Sequence, residues 1–286
     1  MRASADVLVI GDALLDVWVV PEAEPRSGAD VPAAVRVGPG GQGANLAVRL
    51  ARRGVRVRLA CALGDDASGR LVRESLAAEG IELDDADAPA TGAVVILIGF
   101  DGERTMLSRR VPLLPRTLDS APWTVISGYA LLEGGELRVG TGRRAVVGCA
   151  VPDGDEGAWW LRADELRPDL VVLNGDEART LGADASRLAA ESGALVVVTE
   201  RGGAVASRSD GRVQRAVIER VPAVDTTGAG DAFAAALLAE LHDRSWPPGA
   251  AELGAALAAA AELAAQVAGM HGAQAAVPLE GRAAPA

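Results

Sequence analysis

Residues 225–233, DTTGAGDAF, place a carboxylate, Asp231, directly after a Gly228-Ala229-Gly230 turn that leads into an apolar helix. Glycine leaves backbone N–H groups bare, and the first amides of a helix have no intrahelical acceptor, so this turn is a cradle for an anion. A carboxylate beside the cradle would only repel a phosphate that was merely bound. It makes sense as a general base, taking the proton of an attacking hydroxyl while the amides stabilise a phosphoryl group in transfer. The bland alternative is an ordinary acid in the first turn of a helix that follows a tight turn.

A second glycine tract, VGPGGQGANLAVRLARRG (residues 37–54), reads as G-x-G-x-x-G through Gly38, Gly40 and Gly43, ahead of an amphipathic helix. That spacing is a dinucleotide-binding fingerprint when it follows directly on the first buried strand. Here the first apolar run, residues 6–11, lies about thirty residues upstream, and the segment between is broken by Pro32. Asp65 stands near the distance at which a dinucleotide fold places its ribose-binding acid, so a nicotinamide site stays open, as does a plain helix-start turn.

Composition removes several classes. None of the 286 residues is lysine, and all 28 basic residues are arginine. P-loop, protein-kinase and Schiff-base mechanisms each need a lysine, so ATP would have to be handled by another device. A formal net charge of −11 with no basic stripe argues against nucleic acid. No run of eighteen apolar residues offers a membrane span, and the N-terminus lacks a signal-like core, which together lead to the expectation of a cytoplasmic protein that binds small molecules. Cys61 and Cys149 lie in or beside apolar runs, as buried reduced thiols do.

The elements that must carry these residues alternate in the α/β manner. Apolar runs at 6–11, 56–63, 124–127, 145–151, 169–174 and 193–199 read as strands, and helical periodicity covers 43–53, 67–79, 176–190, 229–242 and 250–268. Such alternation implies a mostly parallel sheet with helices on both faces. Residues 17–37 and 91–108 contain short extended runs with no helix between them, the second split by the turn DGE, and are expected to form a small antiparallel sheet standing off the main domain as a lid.

GGQGANLAVRLARRG and DTTGAGDAF resemble the two signatures of the ribokinase-like family, the PfkB carbohydrate kinases, in the right order across nearly the whole chain. The resemblance implies a Rossmann-like α/β/α sandwich with a β-sheet lid, a single domain over 1–286, and transfer of the γ-phosphoryl of ATP, with Mg²⁺, to a hydroxyl of a sugar or nucleoside. It makes Asp231 the base and Gly228, Ala229 and Gly230 the anion hole. GDALLD (11–16) resembles the element that binds sugar hydroxyls, which implicates Asp16, with Asp12 alongside, and adds Gly40, Gly41 and Asn45 to the acceptor site. NGDEA (174–178) resembles the N-x-x-E element that organises Mg²⁺ and phosphate through water, implicating Asn174 and Glu177, though the same pattern caps helices. Thr199 and Gly202, from VTERGGA, and the 228–230 turn would meet the nucleotide. HGAQAAVP (271–278) resembles the loop that closes the nucleotide site and, with Asp225 and Thr227, is a candidate monovalent-cation (K⁺) site.

Three departures leave the acceptor open. LSRRVP (107–112) replaces a segment that often touches substrate; its Arg109 and Arg110 are read as solvated lid arginines in preference to readers of an acidic sugar. VTERGGA is altered from the usual pattern, and GCAVPDGDEG lacks an aspartate commonly found there. A non-catalytic sugar-binding relative, a nucleoside kinase and a nicotinamide oxidoreductase remain as alternatives, and dimerisation through exposed lid faces is expected.

Overall fold

In a computed structural model, residues 5–99, 104–113, 116–133, 137–151, 154–182, 184–200, 202–217, 228–270 and 274 are described. In chain order they form β1 (Val7–Ile10), β2 (Leu14–Pro21), β3 (Ala33–Gly40), α1 (Gln42–Arg52), β4 (Val57–Gly64), α2 (Ala67–Ala78), β5 (Glu82–Ala88), β6 (Gly92–Ile98), β7 (Arg104–Arg109), β8 (Arg116–Leu118), β9 (Trp123–Ser127), α3 (Gly128–Glu133), β10 (Leu137–Val139), β11 (Arg143–Val147), α4 (Glu156–Leu166), β12 (Leu170–Asn174), α5 (Gly175–Thr180), α6 (Ala185–Ser192), β13 (Leu195–Glu200), β14 (Gly203–Ser207), β15 (Val213–Val217), α7 (Ala229–Leu241) and α8 (Ala250–Ala268).

Nine strands make one large sheet in the order β15-β14-β13-β12-β11-β9-β1-β4-β5. It is parallel from β5 to β13 and ends in an antiparallel hairpin, β13 to β15. The six expected core strands are all present. Each is a short apolar run because both faces of a parallel sheet are covered. Along β1, Val7 and Val9 point into a layer with α1, α2, α7 and α8, while Leu8 and Ile10 point into the opposite layer with α3, α4, α5 and α6. Helix α8 is long and apolar enough to cross a membrane by composition, yet Leu253, Leu257, Ala260 and Val267 are buried in the first of these layers.

The chain runs from β1 to β4 on one side and to β9 on the other, so the direction of winding reverses at β1. A parallel sheet leaves a crevice outside the carboxyl ends of its strands at such a point. Asp12, Ser127, Gly148 and Asn174 all lie at those ends.

Four strands, β3-β2-β6-β7, form the separate small sheet. It is mixed: β2 pairs antiparallel with β3, parallel with β6, and β6 pairs antiparallel with β7. Strand alternation gives it two faces. Leu14, Asp16, Val94 and Ile96 face the crevice and are buried. On the other face, register aligns Val37, Val17, Val95 and Leu107 in one row and Val35, Val19 and Leu97 in the next. The expected DGE turn at 101–103 lies outside the described residues.

The helix expected over 176–190 is two helices, because Gly182 takes φ +78° and Asp184 starts a new helix by capping Ser186 and Arg187.

Candidate active site

The glycines of the 37–54 tract are shaped by what lies beside them. At Gly41, φ is +97° and a Cβ would stand 2.7 Å from the Asp12 carbonyl oxygen, so only glycine fits. A methyl at Gly40 would overlap the carboxylate of Asp16 across the β2–β3 pair. The β3–α1 corner is thereby pressed against the end of β1. Asp12 closes that corner: its carbonyl accepts from Ala44 N at 3.0 Å and its carboxylate from Gly43 N at 3.3 Å. Two amides of the first turn of α1 are thus satisfied by the neighbouring loop, which leaves no cradle there for a pyrophosphate.

Helix α7 presents the opposite case. Gly228, at φ +77°, is its N-cap without a side-chain cap, and the space around Gly230 is open. Asp231 stands in the first turn. The two glycine tracts meet here, because Asn45 Nδ2 donates to Asp231 Oδ2 at 2.8 Å.

Asp12, Asp16, Gly41, Gln42, Asn45, Asn174, Glu177, Gly228, Gly230 and Asp231 line a single cleft of about 200 Å³. Leu14, Val94, Ile96, Met106, Arg104, Arg110, Tyr129 and Cys149 complete it. Most of the sequence-derived site residues therefore converge. Ala229 lies between two of them, and Gly40 backs Asp16. Thr199 and Gly202 do not line the cleft: Thr199 pairs with Asn174 one strand over, and Gly202 lies in the β13–β14 turn at φ +102°. Asp225, Thr227 and the 271–273 and 275–278 stretches lie outside the described residues.

Burial pushes the Asp231 carboxyl up to about 6; hydrogen bonds from Asn45 and Gln42 and the charge of Arg49 oppose the rise, while Asp12 adds to it. Burial likewise takes Glu177 up to about 7, against a backbone hydrogen bond from Asn174 and with Asp231 adding to the rise. Two carboxyl groups poised near neutrality in one cleft are what proton transfer at physiological pH needs. Asn174 and Glu177 form a reciprocal capping box, each backbone N–H reaching the other side chain at 2.8 Å. The structure thus realises the capping pattern, and does so at the wall of the cleft.

Arg110 departs from the expected solvated arginine. Its side chain is 10 % exposed, pairs with Asp12 at 3.2 Å and Glu133 at 3.6 Å, and stacks 3.6 Å above the Tyr129 ring. A guanidinium so enclosed is held by its partners and not by water. Arg109 donates to the Thr91 carbonyl. Sequence reasoning also missed Gln42, whose amide accepts from Ser127 Oγ (2.6 Å) and Gly128 N (3.1 Å) and donates to Gly148 O (2.7 Å), bracing the corner against β9 and β11. Cys149, whose thiol burial pushes up to about 12, is inert at physiological pH.

An α/β sandwich with an acid and a helix N-terminus at its switch point is the architecture of a sugar kinase of the ribokinase type. A family model described as "pfkB family carbohydrate kinase" matches residues 4–120 and 154–280, and the chain belongs to that family. A fructokinase from Klebsiella pneumoniae is 30% identical over 305 residues, covering 95% of this chain and 96% of its own. The fold matches the crystal structure of a ribokinase from Thermotoga maritima with a TM-score of 0.75 at 20% identity, covering 96% of each chain. It also matches an aminoimidazole riboside kinase from Salmonella enterica, solved with aminoimidazole riboside and an ATP analog, with a TM-score of 0.71 at 23% identity, covering 95% and 96%. The chain is a carbohydrate kinase that uses ATP. The dinucleotide and non-catalytic readings are set aside.

Proposed function

We propose that Asp231 takes the proton from an acceptor hydroxyl while the amides of the Gly228-Ala229-Gly230 turn stabilise the charge of the phosphoryl group in transfer. The observation that carries this is the Asp231 carboxyl itself, raised to about 6 at the open N-terminus of α7, in the same cleft as Asp16. Asp16, 4 % exposed on the floor of the small sheet, takes acceptor hydroxyls, with Gly41 and Asn45 beside it. A carboxylate accepts several hydroxyl donors at once, which suits a small polyol such as a monosaccharide. Asp12 is tied to Arg110 and to α1, and so shapes the acceptor site from behind.

The nucleotide is assigned to the side of the cleft bounded by Asn174 and Glu177, reaching beyond it toward Thr199 at the end of β13 and Gly202 in the turn that follows. Among the described residues no three ligating side chains cluster. That fits Mg²⁺, which prefers phosphate oxygens and water to an all-protein cage, with Asn174 and Glu177 acting through water. Bound there, the ion would neutralise phosphate charge. A monovalent cation at Asp225 and Thr227 belongs to the same proposal.

The small sheet is read as a lid on a single domain. Its outer face exposes Val35, Val37 and Leu107 by 57, 56 and 63 %, an apolar patch that pairing with a second copy would cover. Two buried free thiols, Cys61 and Cys149, accord with the cytoplasm. The test is ADP release with Mg-ATP against a panel of ketoses, aldoses and nucleosides: stimulation by one sugar class is expected, with little hydrolysis in its absence. Turnover independent of any acceptor would overturn the reading.

A further inference from the structure

A chain of hydrogen bonds enters the base from the far end of the sequence. Asn45, 5 % exposed on the first turn of α1, uses both ends of its amide. Its Nδ2 donates to Asp231 Oδ2 at 2.8 Å, and its Oδ1 accepts from Gln274 Nε2 at 3.0 Å. The Gln274 carbonyl accepts from Arg52 Nη1 at 2.7 Å, and Arg52 Nε donates to Glu79 at 3.0 Å at the end of α2. Gln274 is thus anchored at its backbone, and its side chain donates to Asn45.

An amide has a direction: the partner that takes its oxygen leaves its NH₂ for the other side. A donor at position 274 turns the NH₂ of Asn45 toward Asp231. An acceptor there would draw the NH₂ away and set a carbonyl against the carboxylate. Deepening the reading of Asp231 as the base, and resting on it, we propose that Gln274 and Asn45 are positioning residues: Gln274 fixes the direction of the Asn45 amide, and Asn45 holds one oxygen of Asp231 so that the other faces the acceptor. Gln274 is not among the residues lining the cleft, and its route to Asp231 runs through Asn45. Among the described residues, the other charged groups near Asp231 are Asp12 beyond β1, Arg49 on α1 and Glu177 on α5. None of them depends on the direction of the amide.

The test uses the full chain carrying Gln274→Glu, which inverts the chain, and Gln274→Ala, which only breaks it. Each is assayed for kcat and both KM values across about pH 5 to 9, with Tm alongside. Gln274→Glu is expected to lower kcat roughly tenfold and to move the acid limb of kcat upward by about one pH unit, because the ionised base loses the Asn45 donor and keeps only that of Gln42. Gln274→Ala should shift the limb the same way by less, and both KM values should stay within about twofold. An unmoved acid limb in Gln274→Glu, or a loss shared by Tm and both KM values with the limb unmoved, overturns the proposal. Should Gln274→Glu fail to fold, Gln274→Ala decides by the same criteria. Asp231→Asn separates the two readings: near wild-type turnover in that variant removes the base itself, whereas an inactive Asp231→Asn beside an unmoved limb removes only the positioning.

Discussion

Replacing Asp231 by Asn should make the enzyme nearly inactive and at the same time more stable. The carboxyl moves from 3.8 to about 6 on folding, chiefly through burial. The folded chain therefore holds the proton more tightly than the unfolded one. Stability contributed by this group is fully present below about pH 4 and is lost as pH rises to about 6, so at pH 7 the ionised carboxylate burdens the fold. About two pKa units correspond to ~3 kcal/mol, and the part of the group open to the cleft is screened, which leaves about 1–2 kcal/mol. Asparagine carries no charge, and its carbonyl can still accept from Asn45. For a chain of this size the expected gain in Tm is about 2–4 °C at pH 7, fading toward about pH 3, below the unfolded value of 3.8, where the aspartic acid is neutral in both states. Meanwhile kcat should fall by roughly 10²–10⁴, the worth of a positioned base. Calorimetry at the two pH values and a coupled ADP assay read both effects. A variant less stable than wild type at pH 7, or a gain indifferent to pH, would refute the claim that the base is desolvated.

Asp16→Ala should raise the acceptor KM steeply, by the loss of charge-assisted hydrogen bonds worth roughly 1.5–3 kcal/mol each, and leave the KM for ATP nearly unchanged; comparable losses for both substrates would remove Asp16 from the acceptor site. Gly40→Ala should mimic it in part, since the new methyl displaces the Asp16 carboxylate, and an unaltered acceptor KM would show that the carboxylate has room to move. In wild type, kcat should decline roughly tenfold per unit below about pH 6, the value at which Asp231 takes up its proton; a flat profile down to about pH 5 contradicts an ionised base. On the proposal that a second copy covers the outer face of the small sheet, wild type should sediment as a dimer and Val37→Asp with Leu107→Asp as a monomer; a wild-type monomer, or an unchanged mass in the variant, would remove that contact.

Much of this arrangement was legible in the residues, and the exceptions have physical causes. Core strands such as VLVI announce themselves because burial on two faces demands unbroken apolar runs. Strand β5, ELDDADA, does not: it is an edge strand whose Asp85 is neutralised by Arg73 on α2, so its acids mask it. Strand β15 alternates exposed and half-buried residues at the opposite edge and is equally quiet. In the site, Asp231 and its glycines betrayed themselves because local geometry alone creates an anion cradle. Gln42, Arg110 and Gln274 did not, since their partners lie 106, 98 and 229 residues away, and no local pattern encodes a contact across such a span. The glycines of the first tract were half legible: their need for close approach could be read, but not that the neighbour would be the carboxylate of Asp16.

Asp16 belongs to β2, a strand of the small sheet, whereas Asp231 belongs to the body of the molecule. An acceptor bridging them is a strut added to the joints the chain already has, the packing of α2 on β2 and β3 and the crossings between β1 and β2, β3 and α1, β5 and β6, and β7 and β8. On the reading of the small sheet as a lid, the sugar is then its own latch: the hydroxyls that Asp16 holds pull the cover down over the base, and a compound lacking them leaves the cover ajar. Discrimination would then be exerted on the population of the closed state as well as on affinity, and the kinetic order would favour sugar first. A poor analogue would show its defect in kcat as well as in KM, because it fails to assemble the machine that phosphorylates it.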